Sequence, residues 1–204
     1  MTDPVLSGSR GVPETVRQAV EAGVRAVQLR DKDATDEEFV AMARILGPIC
    51  ASAGALFLVN DRVRLAAACG ADGAHVGQDD MDAATARTML GPGAVLGVSV
   101  RTAEEARAAE RAGADYVAAN MVFATSTKTD LPGPLGIASV RELRSVVTIP
   151  LVAIGGITTE NASEVLAAGA DGLAVVSALM ASPDLPGDVG RFFALLSYYS
   201  KTWK

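Results

Sequence analysis

Several short polar runs in this chain carry residue types that could do chemistry together. Gln28-Leu29-Arg30-Asp31-Lys32 and Lys128 supply cations, and Asn60-Asp61-Arg62 and Gln78-Asp79-Asp80 supply carboxylates. Ser99, Thr125-Ser126-Thr127 and Val176-Ser177 supply hydroxyls, and Gly155-Gly156 supplies a backbone that a ligand can approach closely. Arg30, Lys32 and Lys128 suit an anion with several charges. Asp61 and Asp80 either form ion pairs with those cations or hold a hard divalent cation such as Mg2+. That ion takes one or two protein carboxylates and completes its shell with water and substrate phosphate. Gly-Gly ahead of a helix start suits one phosphate, because free N–H groups there bind anions. His75 is the single histidine, so no Ser/His/Asp triad can be assembled, and no His/Cys constellation points to zinc.

A plainer reading is open to each run. Arg30 and Lys32 could be solvated cations paired with Asp31 and Asp33. Asp61 could cap the helix that follows, and Asp79-Asp80 could be turn or cap residues. His75 could be a hydrogen-bonded core residue, and Ser99 and 125–127 could be turn hydroxyls. Gly155-Gly156 could form an ordinary tight turn. Where these runs fall along the fold decides between the readings.

The phrase Ala-Gly-Val or Ala/Cys-Gly-Ala-Asp recurs at 22–24, 69–72, 112–115 and 168–171, each time between a helical pattern and a β-branched run. The glycine suits the left-handed position that ends a helix. Strands are expected at 24–29, 56–59, 73–76, 95–98, 116–119, 151–154 and 172–176. They are short and apolar on both faces, as in a covered parallel sheet. Helices are expected at 13–22, 36–53, 63–68, 83–90, 103–112, 138–147, 160–168 and 188–196. Thr35 with Glu38 and Thr102 with Glu105 have capping-box spacing. Eight helices alternating with seven strands give an α/β fold of the (β/α)8 TIM barrel type. Its first strand is short, or lies upstream of Thr2-Asp3-Pro4. The 204 residues read as one domain, with 197–204 as a C-terminal tail.

In such a barrel the active site lies at the C-terminal ends of the strands. All seven expected strands deliver polar residues or glycine to that rim, which scattered surface charge would not do. The rest of the chain bounds the setting. Its 24 acidic against 18 basic residues give a net charge of -6, which argues against nucleic acid as a partner. No apolar run is long enough to span a membrane, and the N-terminal residues lack the pattern of a signal peptide. Cys50 and Cys69 read as buried thiols in a reducing, cytoplasmic setting.

The runs Gln28-Leu29-Arg30-Asp31-Lys32, Asn60-Asp61-Arg62, His75-Val76-Gly77-Gln78-Asp79-Asp80, Leu96-Gly97-Val98-Ser99, Thr125-Ser126-Thr127-Lys128 and Ala153-Ile154-Gly155-Gly156-Ile157 occur in an order that resembles thiamine phosphate synthase. The likeness extends from about residue 2 to 178. The resemblance implies a transferase that joins hydroxymethylpyrimidine pyrophosphate to a thiazole phosphate, giving thiamine monophosphate and pyrophosphate. It implies that Gln28, Arg30, Lys32, Asn60, Ser99 and Lys128 bind the pyrimidine pyrophosphate, with Leu29, Asp31 and His75 also in the substrate site. Asp61 and Asp80 would carry Mg2+. Thr125, Ser126, Thr127, Gly156, Val176 and Ser177 would hold the thiazole phosphate. Arg30, Lys32, Lys128 and Ser99 would do the catalytic work on the leaving pyrophosphate.

The chain departs from the family at one place. A Gly-x-Gly-Pro-like stretch usually precedes the position of Phe123, with a proline after it; here the chain reads Ala118-Ala119-Asn120-Met121, then Ala124 after Phe123. Two other readings share the barrel: an isomerase of a thiazole phosphate, and a phosphate-ligand binding protein without turnover. The first has no use for Asp61, Asp80 and the pyrophosphate cations. The second is separated by tight binding without product. The segment 124–136 is long for a barrel loop and could close over substrates or lie passively on the surface. The aromatic, basic tail could pack on its own barrel or contact a second copy in a homo-oligomer.

Overall fold

A computed structural model describes residues 1–125 and 133–200. Seven parallel strands are hydrogen-bonded in chain order: β1 (Ala26–Leu29), β2 (Leu56–Asn60), β3 (Gly73–Val76), β4 (Val95–Val100), β5 (Tyr116–Asn120), β6 (Leu151–Ile154) and β7 (Gly172–Ala174). Eight helices are described: α1 (Val12–Glu21), α2 (Asp36–Ser52), α3 (Ala83–Leu90), α4 (Ala103–Arg111), α5 (Gly136–Val146), α6 (Ala162–Ala167), α7 (Ser177–Met180) and α8 (Leu185–Ser200). Parallel neighbours require a crossover; α2 to α6 provide it except between β2 and β3, where a 3-10 turn at Val63–Leu65 serves, and the helices cover the apolar outer face of the curled sheet.

The place of a first strand is taken by two residues. Thr2 donates its N–H to the Gln28 carbonyl at 2.9 Å and exchanges hydrogen bonds with Arg30 through its hydroxyl. The Met1 amino group donates to the Val175 carbonyl at 3.1 Å. Residues 1 and 2 thus bridge the end of β7 to β1, which accords with a first strand that is short or missing.

Most sequence expectations are met, and the exceptions have local causes. Val24 closes the turn after α1 by donating to the Ala19 carbonyl, so β1 starts at Ala26. The helix expected at 63–68 is a single 3-10 turn at Val63–Leu65, because Gly70, with φ 61°, ends the segment too soon for an α-helix. The strand expected at 172–176 stops at Ala174, and a short helix, α7, starts at Ser177. Residues 197–200 continue α8 rather than starting a tail. Thr35 and Glu38 form a full capping box. At α4 only half of one forms: Thr102 accepts from the Glu105 N–H, but the Glu105 carboxylate reaches the Arg101 N–H instead of Thr102.

The recurring Gly-Ala-Asp phrase has two jobs. Gly23, Gly70, Gly113 and Gly169 all take positive φ, between 61° and 114°, where a side chain would be strained. The aspartate that follows three of them starts the next strand and binds back to the preceding one. The carboxylates of Asp72, Asp115 and Asp171 accept from the N–H groups of Phe57, Leu96 and Leu151 at 2.7–2.8 Å. Their own N–H groups donate to the carbonyls of the same three residues. Arg87 and Arg144, from α3 and α5, pair with Asp115 and Asp171 and also gather helix-end and loop carbonyls. This rim at the N-terminal ends of the strands is built for stability. Phe39, Leu46, Phe57, Leu96, Leu143 and Leu151 fill one contiguous core, each fully buried. Burial of a side chain of this size contributes about 1.5–3 kcal/mol.

Two outcomes follow from this packing. Asp115→Ala strands the N–H of buried Leu96 and should cost about 1–3 kcal/mol in chemical denaturation, with activity retained because the change lies at the opposite rim. Burial, with Asp72 nearby, pushes the Cys50 thiol up to about 11, and burial also raises Cys69. In the folded protein both thiols should therefore resist alkylation at pH 8. The unfolded chain ionises Cys50 first, so stability should fall as pH rises from about 9 to 11, as read by denaturation at stepped pH.

Candidate active site

The C-terminal ends of β1 and β2 form one corner of the upper rim. Gln28 is half-buried in β1, and the Leu29 side chain is buried in the core, which leaves only its backbone for a ligand. Arg30 follows directly, its backbone held from both sides by Thr2. Asp31 turns its carboxylate onto the N–H groups of Asp33 and Ala34, which shapes the loop that presents exposed Lys32. Arg62 secures this loop from the neighbouring strand end. Its guanidinium bonds to the Asp31 and Ala34 carbonyls, pairs with Asp36, and lies 4.7 Å over the Phe39 ring. Arg62 is thus committed to holding the cationic loop in place.

The two carboxylates stand at adjacent strand ends. Asn60 at the end of β2 is in register with His75 in β3, and Asp61 follows, its N–H on the His75 carbonyl. Asp61 takes φ 60°, a left-handed backbone that Asp tolerates better than most residues. The 3-10 turn beyond it is capped by no side chain, and α3 is capped by Asp82. None of Asp61, Asp79 and Asp80 therefore serves as the side-chain cap of the element that follows it. Asp80 folds back so that its carboxylate accepts from the Gly77 N–H at 2.7 Å, just past the end of β3.

Inside the barrel, β1, β3, β4 and β5 contribute one continuous hydrogen-bonded group. His75 Nδ1 meets the Tyr116 hydroxyl and His75 Nε2 meets Ser99 Oγ, both at 2.9 Å. The Gln28 side chain bonds to Tyr116. His75, Gly97 and Tyr116 occupy one register row, and Tyr116 leans across Gly97 to reach the histidine two strands away. A Cβ on Gly97 would sit 2.1 Å from the Tyr116 ring. Ser99, two residues on from Gly97, opens onto the rim, and its carbonyl accepts from Gln78.

The ends of β5 to β7 make the other half of the rim. Asn120 and Met121 are buried, and Met121 takes φ 64°. Proline, with φ fixed near -65°, cannot follow that path. Gly155 and Gly156 have φ 104° and 62° and lie against the turn after β5. A Cβ on Gly155 would fall 2.4 Å from Met121 Cα, and one on Gly156 2.5 Å from the Ala124 carbonyl oxygen. Asn161 fastens this double glycine, donating to the Gly156 carbonyl and accepting from the Thr158 N–H. Val176 precedes α7 and Ser177 starts it, exposed on the same rim. Thr125 is half-buried at the edge of the loop after β5. Ser126, Thr127 and Lys128 lie outside the described residues. Arg101 braces the near side, donating to the carbonyls of Asn120 and Gly133.

Tyr116, Arg62, Arg101 and Asn161 are the residues that reading the sequence missed. Arg62 stood in a noticed run, and Tyr116 stood in an expected strand opposite a glycine, which is the one signal that could have marked it. Gly156→Ala should shift the Ala124 segment and cut activity at least tenfold. Met121→Pro should lower stability by about 1–3 kcal/mol, the usual magnitude for a backbone forced out of its well. Thermal denaturation and a substrate titration read the two effects separately.

Residues 1–179 match the family described as thiamine monophosphate synthase. The thiamine-phosphate synthase of Moorella thermoacetica is 46% identical over 186 residues, covering 91% of this chain and 89% of that protein. The thiamine-phosphate synthase of Methanoregula boonei is 47% identical over 185 residues, with 91% and 86% covered. Among solved structures, thiamine phosphate pyrophosphorylase from Pyrococcus furiosus superposes with a TM-score of 0.86 at 37% identity, over 97% of this chain and 94% of that one. With the rim geometry and these matches in agreement over nearly its whole length, the chain belongs to the thiamine monophosphate synthase family of transferases.

Proposed function

We propose that the chain joins hydroxymethylpyrimidine pyrophosphate to a thiazole phosphate, releasing pyrophosphate and giving thiamine monophosphate. The observation that carries this reading is the convergence of Gln28, Arg30, Asn60, Asp61, Asp80 and Ser99 from four successive strand ends on one rim. The thiazole phosphate is assigned to Thr125, Ser126, Thr127, Gly156, Val176 and Ser177, beside the double glycine. Catalysis is a charge problem. The C–O bond to pyrophosphate breaks with its electron pair on the leaving oxygen, and the thiazole nitrogen forms the new bond to the pyrimidine methylene. Arg30, Lys32 and Lys128 are assigned to meet the charge that builds on the leaving group, and a preorganised cation there stabilises the transition state more than the substrate. No proton need be removed from the attacking nitrogen, so no strong general base is called for.

Asp61 and Asp80 are the residues that would hold Mg2+. Two carboxylates on adjacent strand ends fit a hard cation that completes its shell with water and substrate phosphate. Among the described residues no group of three or more His, Cys, Asp or Glu could cage a metal alone. Bound there, Mg2+ neutralises charge on the pyrophosphate. The substrates are small molecules, and the setting is proposed to be cytoplasmic. Among the described residues no helix is long and apolar enough to cross a membrane.

The test is incubation with both substrates, with Mg2+ or with chelator, and mass-spectrometric assay of thiamine phosphate. Product that depends on Mg2+ is expected. Asp61→Ala or Lys128→Ala should lower turnover at least a hundredfold while leaving the circular-dichroism spectrum unchanged. Near-normal Mg2+-dependent activity in Asp61→Ala would sink the metal assignment. Binding of either substrate without product would replace the synthase reading with that of a silent phosphate-ligand binder.

A further inference from the structure

We propose that Tyr116 is a positioning residue: seated over Gly97, it fixes through His75 the direction of the Ser99 hydroxyl proton, so that Ser99 faces the substrate as a donor. The proposal deepens the synthase reading and rests on it only for the identity of the acceptor, a pyrophosphate oxygen.

The argument follows the protons. Burial raises the Tyr116 phenol well above its usual range, so it keeps its proton throughout the working pH range, while the bond from Gln28 favours the charged form of its oxygen. A buried phenol that keeps its proton needs an acceptor for it, and His75 Nδ1 stands at 2.9 Å from the Tyr116 oxygen. With Nδ1 accepting, the proton of the neutral imidazole resides on Nε2, which the other bond determines in turn. Nε2–H then donates to Ser99 Oγ at 2.9 Å. A hydroxyl that already accepts from a histidine cannot send its own proton back along that line. The Ser99 proton is turned away from the barrel floor and toward the rim, where Arg30 and Asn60 also end. All four members come from different strands, so the direction is set by the sheet and not by a flexible loop.

Gly97 is the geometric condition of the chain. His75, Gly97 and Tyr116 are neighbours in register, and a side chain at the middle position would occupy the space of the phenol. The ring planes of His75 and Tyr116 are tilted by 32° with centroids 5.5 Å apart, so their contact runs through the hydroxyl and not through stacking. His75 is 7% exposed and sits beneath the rim, where it acts on Ser99 more readily than on a ligand.

His75 is the only histidine in the chain, so its ring nitrogens can be read without assignment. Protein labelled with 15N-histidine, without substrates, should show in two-bond 1H–15N spectra a neutral ring protonated at Nε2. Tyr116→Phe keeps the ring and removes the hydroxyl. It should shift the spectrum toward a tautomer mixture or the Nδ1–H form. In the coupling assay it should lower kcat about tenfold, roughly the worth of one hydrogen bond, with KM for the thiazole phosphate unmoved. A wild-type ring protonated at Nδ1, or at both nitrogens, overturns the proposal. So does a Tyr116→Phe protein whose tautomer and kcat equal those of the wild type. Should the variant fail to fold, the wild-type spectrum alone still decides the direction of the chain. Should the wild type make no thiamine phosphate, the synthase reading fails, while the spectrum still judges the tautomer on its own.

Discussion

A parallel ladder can be continued only by returning the chain to the edge from which the last strand began, so every strand of this sheet runs the same way. In a seven-stranded example this gathers seven strand starts at one rim and seven strand ends at the other. The two rims then meet opposite demands. At the lower rim the backbone N–H and carbonyl groups of the first residues need partners, and aspartates following a left-handed glycine supply them. At the upper rim the backbone leaves the sheet, and polar side chains gather there without having to complete a ladder.

The arginines divide along the same line. Arg87 and Arg144 lie over the lower rim, each satisfying helix-end carbonyls as well as an aspartate. Half-exposed ion pairs are worth little by themselves, and the weight of these clamps lies in the carbonyls they satisfy. Arg62 and Arg101 lie at the upper rim and are spent on backbone too, holding the loops that follow β1 and β5. A count of positive charge near the rim therefore overstates what is available to an anion. Around Arg30 and Lys32 the polar neighbours shape backbone: Thr2 holds the Arg30 N–H and carbonyl, and Asp31 holds the N–H groups of Asp33 and Ala34.

Much of this was legible in the residues. β3 and β6 have the bounds expected from the sequence, and the Thr35–Glu38 box forms in full. The rim assignment needed only the direction of the strands. What escaped depends on pairs distant in sequence. Whether the segment at 63–68 would be an α-helix or a single 3-10 turn depended on how close Gly70 lies. Glu105 chose the Arg101 N–H over that of Thr102, a difference of one residue with the same chemistry. Tyr116 looked like one more apolar strand residue, because its role depends on standing in the same row as Gly97 and His75. Met121 is a hydrophobic residue in a left-handed backbone, a conformation that no local propensity announces.

The vacancy at Gly97 ties two positions that are 19 residues apart into a single steric unit. The volume missing at one is the volume occupied at the other, so neither can drift alone. Enlarging residue 97 evicts the phenol, and trimming residue 116 opens a hole in the barrel floor where water could enter beside His75. Among related chains these two sites should therefore exchange size reciprocally, bulky with small, and a chain in which both are large must have moved a strand to make room.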